Sequence, residues 1–301
     1  MPDNSASSIV ELPLDDWSAA HSDPQWTAAL EAGKVLFFPH LAFHVDASEQ
    51  ALFRPDILSP KSRNISLDAE GHLKGAQGPE ADQQALAAMV GRFRHQARQL
   101  VDTLLPEYAQ FLRIAPTSFR PRQVETRAQS WRADDQRMHV DAFPSRPNYG
   151  ERILRIFANV NPAGVPRVWR VGESFETVVR QFWPRLAPYR LWQARVLNAL
   201  HVTKSLRSEY DHLMLQMHDA MKRDLDYQKS GTQVTIPFPA GSVWVCFSDQ
   251  ATHAVMSGQY MMEQTMYLPP GRECDPASSP LATLTRMMGR PLQGVGAGVA
   301  R

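Results

Sequence analysis

The sequence predicts an α+β protein in which one β core is wrapped by helices, and three observations predict it. From Glu80 to about Leu112 the apolar residues Leu86, Met89, Val90, Phe93, Ala97, Leu100, Val101 and Leu104 recur at helical spacing, making a long amphipathic helix interrupted near Pro106. After Pro116 the texture turns to β: Gln123 to Trp131, Arg137 to Phe143 and Arg152 to Val160, separated by turns that carry Pro and Gly. β texture returns at Thr232 to Phe238, Gly241 to Phe247 and Gln259 to Leu268. Strands on both sides of a helical insertion share one core, with the N-terminal helices packed outside it.

In chain order, residues 1–30 are polar and turn-rich, and Gly33 to Pro39 reads as a short buried strand entered from a turn. Two helical patterns, Ser174 to Phe182 and Ser208 to Leu225, separate the two β stretches. The second carries Met214, Met217 and Met221 at core spacing, so they are expected to pack. The tail from Gly289 to Arg301 is rich in Gly and Ala and is expected to be mobile. The organisation is a mostly helical flank (1–115) packed on a β core (116–288) with a helical insertion at about 173–228, and the tail (289–301), in one compact domain.

With 32 Lys+Arg against 31 Asp+Glu among 301 residues, neither a polybasic nucleic-acid arm nor an acidic tail fits, and no nucleic-acid partner is expected. At 43% hydrophobic, the chain is not disordered as a whole. The two cysteines, Cys246 and Cys274, rule out a disulfide framework or a Cys-rich zinc site and favour a reducing compartment. No basic segment followed by an apolar one opens the chain, so a cytoplasmic location is expected, with any membrane contact peripheral. Arginines number 26, ten of them between Arg120 and Arg170, where only five acids stand. Guanidinium suits bidentate recognition of carboxylate or phosphate; compositional bias is the alternative.

A facial-triad iron site needs two imidazoles and one carboxylate on one side of the metal, leaving the other positions open. His-x-Asp on a strand supplies two of them, because a period of two puts both side chains on one face. Chance alone yields roughly 0.6 of an occurrence from this composition, and the sequence contains three. Asp23 of the first precedes Pro24 and reads as a turn or helix-entry cap, and Asp46 of the second opens a probable helix and is better suited to capping it. The third, His139 and Asp141, is followed by a turn and a strongly β-forming stretch. His253, between a strand and a polar loop on one side and another strand on the other, is the distal candidate; His201, His212 and His218 are set aside as surface or packing residues. Ordinary polar loop residues are the competing reading of the triad.

If iron is held this way, 2-oxoglutarate chelates it and its distal carboxylate needs a cation. Ala254 to Gly271 contains neither Arg nor Lys, so the cation is sought on the strand after His-x-Asp. Alternation there puts Ile153, Arg155, Phe157 and Asn159 on one face, which selects Arg155 as the carboxylate partner and Asn159 as its hydrogen-bonding neighbour. A surface salt bridge is the alternative for Arg155.

The run SWRADDQRMHVDAFPSRP from Ser130 to Pro147, with Arg152 to Pro162, Pro166 to Glu173, Glu263 to Pro269 and Gly33 to Pro39, resembles the bacterial Kdo hydroxylases. The resemblance implies a double-stranded β-helix (jelly-roll, cupin-like) core and an Fe(II)- and 2-oxoglutarate-dependent dioxygenase. Such enzymes use O2 to hydroxylate C3 of 3-deoxy-D-manno-oct-2-ulosonic acid (Kdo) in lipid A-linked lipopolysaccharide inner core, giving Ko, succinate and CO2. It supports His139, Asp141 and His253 as ligands and gives the arginines a purpose, since Kdo is a carboxylate sugar on an anchor that can carry phosphates. Arg132, Arg137, Arg146, Arg167 and Arg170 are candidates by position, and Trp131 and Trp169 could stack on the sugar, with solvated or core roles as alternatives. Exposed Trp, Phe and Arg around the mouth would meet the cytoplasmic face of the inner membrane. The competing functions are a 2-oxoglutarate oxygenase of another acid, lipid or protein, and a non-catalytic, metal-containing sugar-binding barrel.

Overall fold

The computed structural model describes residues 8–124 and 129–295. In chain order its regular elements begin with β1 (Ile9–Glu11), α1 (Pro24–Glu31), β2 (Val35–Phe38), β3 (Ile65–Leu67), β4 (Leu73–Lys74) and α2 (Glu80–Leu104). Next come β5 (Arg113–Ile114), β6 (Thr117–Arg120), β7 (Arg152–Asn159) and β8 (Arg167–Val171). The helical insertion holds α3 (Phe175–Phe182), α4 (Leu191–Ala199), α5 (Glu209–Arg223) and α6 (Leu225–Ser230). The chain then returns through β9 (Val234–Phe238), β10 (Val243–Phe247), β11 (His253–Ser257) and β12 (Met261–Leu268) to α7 (Pro280–Met288).

The strands make two sheets. A wide one runs β1-β2-β10-β7-β12-β6-β3-β4, with β5 also paired to β12, and a narrow one runs β11-β8-β9. Every pairing is antiparallel except β1 with β2. An aromatic cluster fills the space between the sheets: Phe157 and Trp244 from the wide one stack at 5.4 Å, and Trp244 stacks on Phe238 of the narrow one at 4.2 Å. This is a double-stranded β-helix with helices on its outer faces.

Alternation decides which face of β7 meets what. Leu154, Ile156 and Ala158 join the core beneath α2, whose buried stripe of Leu86, Met89, Val90, Phe93, Ala97, Leu100, Val101 and Leu104 is the one read from the sequence. Phe157, on the opposite face, belongs to the cluster between the sheets. The insertion forms a third apolar cluster in which Met214, Met217 and Met221 of α5 pack against Phe175, Val178, Val179 and Phe182 of α3.

Five expectations need correction. The first 115 residues are not just a helical flank, because β1 to β5 join the wide sheet; strands of two to four residues are too short to display a period of two. Arg137 to Phe143 forms no regular strand, only an isolated antiparallel bridge between His139 and His253. The proposed strand from Gln123 to Trp131 lies partly outside the described residues, and its described ends are not in a strand. Asp23 does cap α1, accepting from Gln25 N, but the Asp46 carboxylate pairs with His44 (3.1 Å) instead of capping a helix. The tail through Val295 is docked: Arg290 grips Glu209 of α5 with both terminal nitrogens (2.8 and 2.7 Å) and Leu292 is buried. Two anchor residues suffice where the surrounding Gly and Ala show no pattern.

Candidate metal centre

A cavity of about 680 Å³ opens between the two sheets and is closed on one side by α5. Its deep wall carries His139, Asp141 and His253, whose ligand atoms lie within 4.8 Å of one another. The backbone sets this convergence. His139 and His253 exchange N–H···O=C bonds of 2.9 Å, and Asp141 N donates to Ser248 O two residues further along. His-x-Asp is therefore extended and paired although too short to count as a strand, so both side chains face the same way.

Each imidazole is oriented by its other nitrogen. His139 Nδ1–H donates to Arg137 O (2.7 Å) and His253 Nδ1–H to Ala251 O (2.8 Å), which leaves both Nε2 lone pairs for the cavity. Burial pushes both imidazoles below their ordinary pKa, so both are neutral and able to ligate. Burial opposes ionisation of Asp141, but the Arg155 guanidinium beside it holds its carboxyl well below the usual range. Asp141 Oδ2 is buried and accepts no hydrogen bond. Two neutral imidazole nitrogens and one carboxylate fit a divalent metal that accepts N and O ligands, and the donor set matches the non-haem iron type.

Arg155 projects from β7 beside this cluster, with Nη1 3.2 Å from Asp141 Oδ2 and 3.6 Å from Glu263 Oε1. Burial disfavours its charge, yet the carboxylates of Asp141 and Glu263 outweigh that and keep it a cation. Its Nε is buried without an acceptor. Glu263 is in turn held by Arg120 at 2.8 Å. Trp169 of β8 lies flat on the His253 ring (5.0 Å, 16°), and its buried Nε1 also lacks an acceptor. Donors without partners on two cavity-lining residues mark a place for an acceptor-rich ligand.

Among the other residues singled out, Arg132 and Arg167 line the cavity, and Arg132 Nε pairs with Asp219 of α5 at 2.9 Å. The rest are not brought to it. Asn159 shares the face of Arg155 but stands four residues along the strand, roughly 13 Å away, and its amide donates to Val165 O and Phe238 O, where it organises the turn after β7. Arg137 is engaged by Asp134 and Lys222 O, Arg170 by Gln136 O, Gln228 O and Met256 Sδ. Arg146 is exposed outside the cavity, and the Trp131 ring is covered by the guanidiniums of Arg132 (4.7 Å) and Arg223 (5.0 Å).

Sequence reasoning missed Arg120, Glu263 and Lys222 of the wall, and it set aside as a surface or packing residue His218, which lines the cavity. The alternation that selected Arg155 would have selected Glu263 on β12, where Met262 and Met266 face the α2 core. His218 and Lys222 are four apart on α5, hence on one face, and the His218 ring stands edge-on 5.5 Å from His139. Lys222 is buried, its ammonium donating to Arg132 O at 3.0 Å.

The chain matches the family model described as 3-deoxy-D-manno-oct-2-ulosonic acid (Kdo) hydroxylase over residues 14–291. No curated protein matches it. It is similar to solved structures of the Kdo hydroxylase KdoO, described as a non-heme Fe(II) alphaketoglutarate-dependent dioxygenase. The cobalt(II) complex is 40% identical, covering 96% of this chain and 98% of that one with a TM-score of 0.91. The complex with alphaketoglutarate and Fe(III) is 41% identical, covering 95% and 97% with a TM-score of 0.90. The complex with succinate and Fe(III) is 40% identical, covering 96% and 98% with a TM-score of 0.90. With nearly its whole length matched and a His-Asp-His cluster at the heart of its β-helix, the chain belongs to the Kdo hydroxylase family.

Proposed function

We infer that this chain is an Fe(II)- and 2-oxoglutarate-dependent dioxygenase that hydroxylates Kdo, at C3, in a lipid A-linked glycolipid. His139, Asp141 and His253 would hold the iron, and Arg155 the distal carboxylate of 2-oxoglutarate. When bound, iron and 2-oxoglutarate supply the oxidising chemistry: one atom of O2 enters the C–H bond and the other leaves in succinate as CO2 is lost. The observation that carries the reading is the pair of imidazoles whose Nδ1–H groups are tied to carbonyls, with the Asp141–Arg155 ion pair beside them.

The remaining work is positioning. Glu263, fixed by Arg120, holds the Arg155 guanidinium in place while leaving its Nε for a ligand oxygen. The Trp169 indole N–H offers a second donor to the co-substrate, and the Phe157 and Trp169 rings, 4.9 Å apart, exclude water from that end of the cavity. Arg132 and the Lys222 ammonium would offer cationic groups to a carboxylate sugar from the helical side of the cavity, and Arg167 lines it from β8. The glycolipid would be met peripherally, from the membrane surface.

The test is anaerobic reconstitution with Fe(II) and 2-oxoglutarate, which should produce a weak visible charge-transfer band, followed by turnover of Kdo-lipid A with a gain of one oxygen by mass spectrometry. Succinate release with only a different acceptor would keep the chemistry and remove the substrate. No succinate under any aerobic condition would leave a metal-containing sugar-binding barrel.

A further inference from the structure

The largest concentration of exposed apolar side chains lies away from the cavity interior, in the helical insertion. On α4 only Ala194 is buried. Trp192 is 60% exposed, Val196 47% and Leu200 68%, and they stand at i, i+4 and i+8, on one helical face. Val202, in the loop that follows, is exposed as well. Solvent does not favour such a row, and among the described residues no other element covers it.

The segment that carries the row has charges of one sign. From Thr177 to Ser208 there is no Asp or Glu, while Arg180, Arg185, Arg190, Arg195, Lys204 and Arg207 are present. Arg180 and Arg185 are paired to carboxylates outside that stretch, Glu176 and Asp224. Arg190, Arg195 and Lys204 make no ion pair among the described residues. An apolar row flanked by cations is complementary to a surface that is apolar beneath and anionic on top.

We propose that α4 and the loop to Lys204 dock the protein on an anionic phospholipid bilayer, with Trp192, Val196 and Leu200 in the headgroup layer and Arg190, Arg195 and Lys204 on lipid phosphates. A nine-residue helix is about 13 Å long, far short of a bilayer core of about 30 Å, so it lies in the surface. The location fits delivery of a membrane-held substrate. Lys204 N donates to Ser145 O (2.9 Å) and Arg207 to Pro144 O (2.6 Å), and Pro144 belongs to the cavity rim. Docking would therefore turn the mouth of the cavity toward the bilayer. A second copy of the chain is the less suitable occupant, because a two-fold interface would set these cations against their own copies with no acid in the stretch to balance them.

The usefulness of docking rests on the lipid-linked acceptor proposed above, but its test does not. The intact protein is mixed with vesicles of phosphatidylcholine alone or with about one third phosphatidylglycerol, and sedimentation reads the bound fraction. Wild type should bind the anionic vesicles at least tenfold better than the neutral ones, and salt should weaken it. Trp192→Ser with Leu200→Ser should weaken binding about tenfold or more, and each of Arg195→Gln and Lys204→Gln about fivefold. All variants should keep the circular dichroism of wild type and its turnover of a deacylated, water-soluble Kdo disaccharide. Equal binding by wild type and the double variant, or no binding of wild type to anionic vesicles, would overturn the proposal. So would a double variant that changes only the oligomeric state, which would make this face a contact between copies. Vesicle binding without turnover of any Kdo acceptor would instead count against the proposed substrate and leave the docking surface standing.

Discussion

The cavity has two unlike walls. On the sheet side, Arg155, His253 and Glu263 come from antiparallel strands and His139 and Asp141 from an extended segment hydrogen-bonded beside β11, and each side chain has a second contact that fixes it. On the helical side, His218, Asp219 and Lys222 come from α5, joined by Arg132 from a loop in which residues 125–128 lie outside the described set. Reaction chemistry needs geometry held within a fraction of an ångström, and a paired sheet supplies that. Recognition of a sugar can tolerate a wall built from a helix and a loop. The difference teaches a division of labour: changes to the sheet wall should abolish the reaction, and changes to the helical wall should retune the acceptor.

The largest expected effect comes from the ligands. His139→Ala or His253→Ala should lower turnover on the order of a thousandfold, with loss of stoichiometric Fe(II) binding in an anaerobic titration. Next comes Arg155→Ala, expected to weaken 2-oxoglutarate binding about a hundredfold while Fe(II) binding is kept, because Asp141 loses a competitor as well as a partner. Unchanged co-substrate affinity in that variant would remove Arg155 from its assigned role. Arg132→Ala, on the other wall, should raise KM for the Kdo acceptor about tenfold with 2-oxoglutarate affinity unaltered. If it moves the co-substrate instead, the two walls do not divide the work as described.

How much of this was legible depends on how local the signal is. The α2 stripe and the alternation of β7 are periodicities within one element, so they read directly from Leu86 to Leu104 and from Arg152 to Val160. Asn159 shows the limit: alternation gives the face of a side chain but not how far along the sheet the site extends. His218 was hidden for the opposite reason, since only the packing of α5 across the cavity mouth brings it to His139. Helix α4 escaped because it is short and, apart from Ala194, its residues are not buried in the core. Arg137, Arg146 and Arg170 were selected by position in loops or turns, but Arg170 lies in β8, and position alone does not say which way a guanidinium turns.

The smallest effect tests how the helical wall is anchored. The N-terminus of α5 is held twice, by a capping box between Ser208 and Asp211 and by Glu209, which accepts from Arg290 and from Gln293 N. The Arg290 hydrogen bond, against the opposing influence of burial, lowers the Glu209 pKa from its ordinary 4.5. A carboxyl depressed in the folded state adds stability that is complete above its unfolded value and fades as the pH falls through the folded one. Arg290→Ala should therefore lower the urea midpoint at neutral pH, and the gap from wild type should close as the pH falls below 4.5. A gap of constant size from neutral to acid would mean that Arg290 acts through packing of the tail and not through the Glu209 charge. If the gap does close, a modest rise in acceptor KM in the same variant, with 2-oxoglutarate affinity unmoved, would tie this anchor to the helical wall alone.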